Sequence, residues 1–273
     1  MFSFNTVAVS SSSHYLGSSL QRINQASAKI ATGQRIIGDD IDAGGISLSV
    51  KLNAQAAKLM VTNGNIQNAI SFLEVQEGYM TQAEEIFDRI VELSSLYNGD
   101  PLMSDTSRDS YENEFSSLQN DLLNISNANF NGIDLFADLK NYNQGGEEIS
   151  VNVSPDNSQS VIIKREDLNY ALGFTIFVVD SLAQLKQGML DVDLTDFSSI
   201  RSHNLKSQNQ LTGYLHSLNQ YRLNNNNALS RATDVDLANE LSQIAKHTIL
   251  KSSSAAMITQ ANTSTEIAAT LIP

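Results

Sequence analysis

The stretch from Ser230 to Pro273, SRATDVDLANELSQIAKHTILKSSSAAMITQANTSTEIAATLIP, decides the fold. It holds no Phe, Trp or Tyr and no proline before its last position, and Leu237, Leu241 and Ile244 recur at helical spacing, followed by Ala255, Ile258, Ile267 and Leu271. Small residues fill the gaps, above all at Ser252-Ser253-Ser254-Ala255-Ala256. Such a helix is thin enough on one face for another backbone to approach closely, and too poor in apolar surface to hold its own shape. It requires a partner.

The other terminus has the same character. Leu16, Leu20, Ile23, Ser27 and Ile30 step by four, three, four and three, the heptad spacing of a narrow apolar seam. Residues 1 to about 32 therefore read as a second seam-forming helix. Periodicity alone leaves open an ordinary amphipathic helix packed on its own domain at each end. Charge favours the paired reading. Residues 1–60 carry five Lys/Arg against three Asp/Glu, residues 61–180 five against twenty, and residues 181–273 seven against seven, so the net charge of −13 resides in the middle. An acidic middle holds hydration and faces water, while near-neutral ends can pack densely.

The three prolines, Pro101, Pro155 and Pro273, leave two long stretches free of helix breakers. No cysteine is present, which excludes a disulfide scaffold and thiolate metal sites. No apolar run is long enough to span a bilayer, and Met1-Phe2-Ser3-Phe4-Asn5-Thr6 lacks the basic start and apolar block of a secretory signal. The acidic balance argues against nucleic acid. No membrane insertion is expected.

Four glycines and three aspartates between Gly33 and Ile46 predict a break, with Asp39, Asp40 and Asp42 as capping carboxylates before a helix from Ile46 towards Tyr97. Ile66, Ile70, Leu73, Met80, Ala83, Phe87 and Ile90 share one face of that helix, and Asn98-Gly99-Asp100-Pro101 ends it. Tyr111, Phe115, Leu118, Leu122 and Ile125 mark a third helix. Alternation at Ile149, Val151 and Val153, turn chemistry at Ser154-Pro155-Asp156-Asn157, and alternation again at Val161 and Ile163 predict a β-hairpin near 148–164. Helical spacing returns with Val178, Leu182, Leu185 and Met189, loosens from Asp191 to Ser207, and resumes with Leu211, Leu215 and Leu218. The expected fold is mainly α, a long helical hairpin or coiled-coil bundle with a small β-hairpin in the middle of the chain. Its expected parts are a terminal helix and loop over 1–45, a helical domain over 46–228 and a second terminal helix over 229–273.

Nothing in this pattern does chemistry. His14, His203, His216 and His247 are scattered, and no phosphate-cradling Gly-Lys-Ser loop or nucleophile elbow occurs. The aspartates after Gly38 lack the alternating ligands and closing Glu of a calcium loop. Neither an enzyme nor a cofactor is expected.

Leu20-Gln21-Arg22-Ile23, Thr32-Gly33-Gln34-Arg35-Ile36 and Asp42-Ala43-Gly44-Gly45-Ile46 resemble, in order and spacing, the N-terminal signature of bacterial flagellins. Arg89-Ile90-Val91-Glu92-Leu93 looks like that family's central helix, and Asn129-Phe130-Asn131-Gly132 like its Phe-Asn-Gly turn. Ser230-Arg231, Asp234, Asp236, Glu240, Lys246, Ile249-Leu250 and Ala256-Met257-Ile258-Thr259-Gln260-Ala261-Asn262 are similar to its C-terminus. The resemblance implies a flagellar filament subunit, outside the cell, whose termini order on assembly. A hook-filament junction protein is the structural alternative, and a coiled-coil adaptor a more distant one. The implied core-packing residues are Leu16, Leu20, Ile23, Ile30, Leu237, Leu241, Ile244, Ala255 and Ile258. The implied partners are further copies of the chain, the type III export apparatus, a chaperone, and junction and cap proteins. Some forty residues between Phe136 and Val178 imply a minimal member without large outer domains. Arg89, Leu93 and Glu114 match a surface by which an innate receptor detects many flagellins. Ile41 and Val91 depart from the family pattern, and the same surface reads first as a lateral packing face between subunits.

Overall fold

The computed structural model describes residues 2–38, 42–137, 148–173, 175 and 178–270. Asp39, Asp40, Ile41 and Leu271 lie outside the described residues. The elements are α1 (Phe2–Thr32), α2 (Ala43–Gly99), α3 (Asp105–Ser126), β1 (Asn129–Phe130), β2 (Ile133–Asp134), β3 (Glu148–Asn152), β4 (Ser160–Lys164), α4 (Leu168–Ala171), α5 (Gln187–Thr233) and α6 (Leu237–Thr270). The protein is mainly helical, with its β structure confined to the middle of the chain. Two compact units divide it, Met1–Ala56 with Leu223–Pro273, and Ala57–Arg222.

The central unit owns the hydrophobic core. Buried side chains along α2 follow one unbroken rhythm of threes and fours, Leu59, Thr62, Ile66, Ala69, Leu73, Gln76, Met80, Ala83, Phe87, Ile90 and Ser94. That is the seam of a helix packed against other helices. Phe115, Leu122 and Ile125 of α3 and Leu190, Phe197, Ile200, Leu211 and Leu218 of α5 complete the core. Ser104 caps α3, its hydroxyl accepting from the Ser107 N–H at 3.2 Å.

The loosening from Asp191 to Ser207 does not interrupt a helix. α5 runs through it, because two seam positions there are polar rather than apolar. Asp193 is buried and accepts from both the backbone N–H (2.8 Å) and the hydroxyl (2.6 Å) of Thr175. Asn204 is buried and donates to the Gln76 side-chain oxygen at 2.6 Å and the Leu73 carbonyl at 3.2 Å, while Gln76 donates to the Leu135 carbonyl at 2.7 Å. Buried polar groups with partners occupy the seam without breaking it.

The helix expected from Val178 to Met189 is corrected. Leu182 and Leu185 are buried within turns, and α5 begins only at Gln187. Side chains of α3 supply the partners that a helix would have supplied internally. The Glu112 carboxylate accepts from the Leu182 N–H (3.1 and 3.0 Å), and Gln119 donates to the carbonyls of Thr175 and Val179 (2.8 and 3.0 Å). Tertiary contact outweighs local periodicity here.

β3 and β4 pair antiparallel with Ile149 opposite Ile163 and Val151 opposite Val161. Val151, Val161 and Ile163 turn into the core, as the alternation predicts. In the connecting turn, Asp156 accepts from the hydroxyls of Ser154 and Ser158 and from the Ser158 N–H. The Ser154 hydroxyl first, then the Ser158 groups, hold this carboxyl down to about 2 from an ordinary 3.8. A carboxyl depressed in the folded state stabilises above its unfolded value and loses that contribution as pH falls through its folded value. Acidification from about pH 4 to about pH 2 is therefore expected to loosen the hairpin, read as faster amide exchange in β3 and β4. Asp156→Asn should remove most of that pH dependence.

The Phe-Asn-Gly segment is more than a turn: it forms a second, smaller hairpin, β1 paired with β2. Asn131 (φ 53°) and Gly132 (φ 79°) both occupy the left-handed region that a two-residue hairpin turn requires.

Candidate assembly surface

In the terminal unit α1 packs on α6, and the two breaks in the chain are stitched together. Gly33, at φ 69°, ends α1 and its carbonyl accepts from the Val235 N–H at 3.0 Å, while the Arg35 N–H donates to the Thr233 carbonyl at 2.7 Å. The Arg35 guanidinium donates to the Ala232 carbonyl (3.2 and 2.9 Å) and pairs with Asp42 at 3.0 Å. Asp42 also caps α2, accepting from the Gly45 N–H at 2.8 Å. That N–H first, and the Arg35 guanidinium next, hold the Asp42 carboxyl below the usual carboxylate range. A Cβ at Gly45 meets the Asp42 carboxylate and comes within 2.8 Å of Ile36 Cδ1, so a glycine is needed there. Asp236 caps α6 through the Asn239 N–H at 3.1 Å, and Ser230 bonds to Asp234 at the end of α5. Across the helix pair, Lys29 and Glu240 form an ion pair at 2.9 Å.

The interior of this unit is made of small and polar residues. On α1 the buried line is Ser12, Ser19 and Ala26, seven residues apart, with Leu16, Ile23 and Ile30 half-buried beside it. On α6, Ser254 is buried, and Glu240, Ile244, His247, Ile258 and Ala261 are half-buried at matching intervals. Among the described residues the only buried apolar side chains of the unit are Ala26 and Ala232. Many of the larger apolar groups are left uncovered. Val7, Tyr15, Leu20, Leu237, Leu241, Ile249, Met257 and Ile267 are exposed, as is Ala255. The structure thus splits the nine anticipated packing residues. Leu16, Ile23, Ile30, Ile244 and Ile258 lie half-buried, and Leu20, Leu237, Leu241 and Ala255 face outward. Counting only large residues hides the Ser12–Ser19–Ala26 line, although its seven-residue spacing is in the sequence.

Models of the bacterial flagellin N-terminal and C-terminal helical regions match residues 3–141 and 188–267. The chain belongs to the bacterial flagellin family. It is 31% identical over 268 residues to a flagellin of Bacillus subtilis (strain 168), covering 86% of this chain and 87% of that protein. To the flagellar filament 30.7 kDa core protein of Treponema maltophilum it is 30% identical over 249 residues, again 86% and 87%. To the flagellar filament core protein flaB2 of Brachyspira hyodysenteriae it is 29% identical over 259 residues, 90% of each chain. Flagellins are structural filament subunits, and no helix among the described residues is long and apolar enough to cross a membrane.

Within this flagellin, Arg89 pairs with Glu114 and with Glu92, each at 2.6 Å. The Arg89 guanidinium holds the Glu114 carboxyl below its usual range, and the Arg89 cation is itself stabilised by Glu114 and then Glu92. Leu93 is fully buried in the core of the central unit, and Val91 packs partly buried against that core. Of the three residues matched to the receptor surface, Arg89 and Glu114 therefore offer surface and Leu93 does not.

Proposed function

We propose that the α1–α6 unit forms the filament core and that residues 57–222 form the outer tube. The observation that carries this reading is the apolar surface left uncovered in the terminal unit, whose fully buried residues are serine, alanine and asparagine while large apolar side chains such as Leu237, Leu241, Ile249, Met257 and Ile267 stay exposed. Each large apolar side chain taken out of water contributes about 1.5–3 kcal/mol. The outward face thus holds most of the burial free energy available to these helices, and only neighbouring copies can release it. Leu16, Ile23, Ile30, Ile244 and Ile258 close the pair within one subunit, whereas Leu20, Leu237, Leu241 and Ala255 meet adjacent subunits.

Ordering of the ends is coupled to addition of the subunit, because helices stabilised mainly by neighbours fold when the neighbours arrive. A head-to-tail contact that does not close gives a filament rather than a ring. Arg89 and Glu114 belong to the lateral packing face of the tube, and any innate receptor reads that surface without Leu93. Export proceeds through the flagellar type III apparatus with a chaperone on the uncovered ends, and junction and cap proteins bound the filament outside the cell.

The test is seeded growth. Purified chain added to short filament fragments should elongate into long helical filaments by electron microscopy, with a rise in far-UV helicity on assembly. A fully helical monomer that never elongates overturns the reading.

A further inference from the structure

β4 and α5 enclose a cleft of about 380 Å³ in the central unit. The outward side of β4 offers Ser160, Ile162 and Lys164, and α5 offers His203, Lys206 and Tyr214. Lys164 and Lys206 bring two cations to the cleft in a protein of net charge −13, with Glu148 of β3 opposite Lys164 across the hairpin. His203 is engaged with Glu166 at 2.9 Å, but neither Lys164 nor Lys206 forms an ion pair among the described residues. Its floor is apolar, since Ile162 is exposed to 49% and Tyr214 to 36%.

The complementary surface lies on the same chain, out of the cleft's own reach. Glu85, Asp88, Glu92 and Leu96 follow at i, i+3, i+7 and i+11 along α2, one exposed stripe of three carboxylates ending in a leucine that is 43% exposed. Glu85 and Asp88 have no ion-pair partner among the described residues. Leu73, which lines the cleft, precedes Glu85 by twelve residues on the same helix, roughly 18 Å at 1.5 Å per residue. The stripe cannot fold back onto the cleft of its own subunit.

We propose that this cleft receives the Glu85–Asp88–Glu92–Leu96 stripe of a second copy of the chain, with carboxylates on Lys164 and Lys206 and Leu96 over Ile162 and Tyr214. The proposal rests on the filament reading and names one lateral contact within it. The contact is heterologous, cleft on one copy and stripe on the next, so it repeats along a polymer without closing. Opposite charge steers the copies into register, and the leucine adds area that salt does not screen.

Charge reversal tests it. K164E/K206E and E85K/D88K chains, each checked for wild-type circular dichroism and thermal unfolding, are grown on wild-type seeds alone and as an equimolar mixture. Each alone is expected to raise the critical concentration about tenfold or more, since like charges then face each other at every such contact. The mixture is expected to return to within about twofold of wild type, because alternating copies restore opposite charges at both kinds of contact. Should reversal disturb folding, K164Q/K206Q is expected to raise the critical concentration about threefold and to flatten its dependence on salt. Wild-type growth by either reversed chain alone, an inactive mixture, or an unchanged salt response of the neutral pair overturns the contact. Failure of the wild-type chain to elongate instead overturns the filament reading itself.

Discussion

Removal of residues 254–273 is expected to abolish filament growth while leaving the helices of residues 57–222 folded. The deletion takes the second half of α6, including Ser254, Ile258 and Ala261 from the face towards α1 and the exposed Met257 and Ile267 outside it. It leaves untouched every residue of the main core, which runs from Leu59 to Leu218. Both losses fall on assembly. The inner face can no longer hold the first half of α1, and the outer face loses apolar side chains worth about 1.5–3 kcal/mol each when buried. Seeded growth followed by sedimentation, beside thermal unfolding of the monomer by circular dichroism, separates the two units. Filaments of normal length from the truncated chain would sink the assignment of α6 to the filament core.

A second large effect is expected from filling the small-residue line of α1. Ser19 and Ala26 are buried where α1 packs on α6, and a leucine at either position brings three further carbons into a space sized for a hydroxymethyl or a methyl. Overpacking of this kind costs about 1–3 kcal/mol. That cost converts to a rise of roughly 5- to 150-fold in critical concentration for S19L or A26L, at about 1.4 kcal/mol per tenfold. The control is Q25A at an exposed polar position of α1, which widens no helix separation, removes no apolar side chain and should cost far less. Equal effects from S19L and Q25A would show that the tight approach of α1 to α6 is not what limits growth.

The helical plan was readable because the chain keeps one period over long distances. Phe115, Leu122 and Ile125 fall where their spacing puts them, and the alternation of Val151, Val161 and Ile163 marks the hairpin. Asp42 was readable as a capping residue, although it starts α2 at Ala43, three residues earlier than Ile46, because Ala-Gly-Gly conceals the first turn. What could not be read has a common origin in side chains distant along the chain. Glu112 and Gln119 satisfy the backbone around Leu182 and so release it from helix, and Thr175 makes Asp193 an acceptable seam residue. Periodicity records which residues are apolar, not which polar groups will find partners. The assembly surface was half legible for a related reason. Leucines and isoleucines announce a burial face, yet within the α1–α6 pair the buried face is marked by Ser12, Ser19 and Ser254, residue types that usually signal exposure.

Gln76 and Asn204 interlock at the centre of the seam between α2 and α5, with the Leu73 and Leu135 carbonyls as further partners. An all-leucine seam tolerates a slip of one heptad, because every layer resembles the next. Here a slip parts Asn204 from Gln76 and leaves two buried amides short of a partner, each costing about 1–3 kcal/mol. The pair therefore works as a detent: small strains along these helices are recoverable, and a load that makes them creep must first draw Asn204 out of its notch.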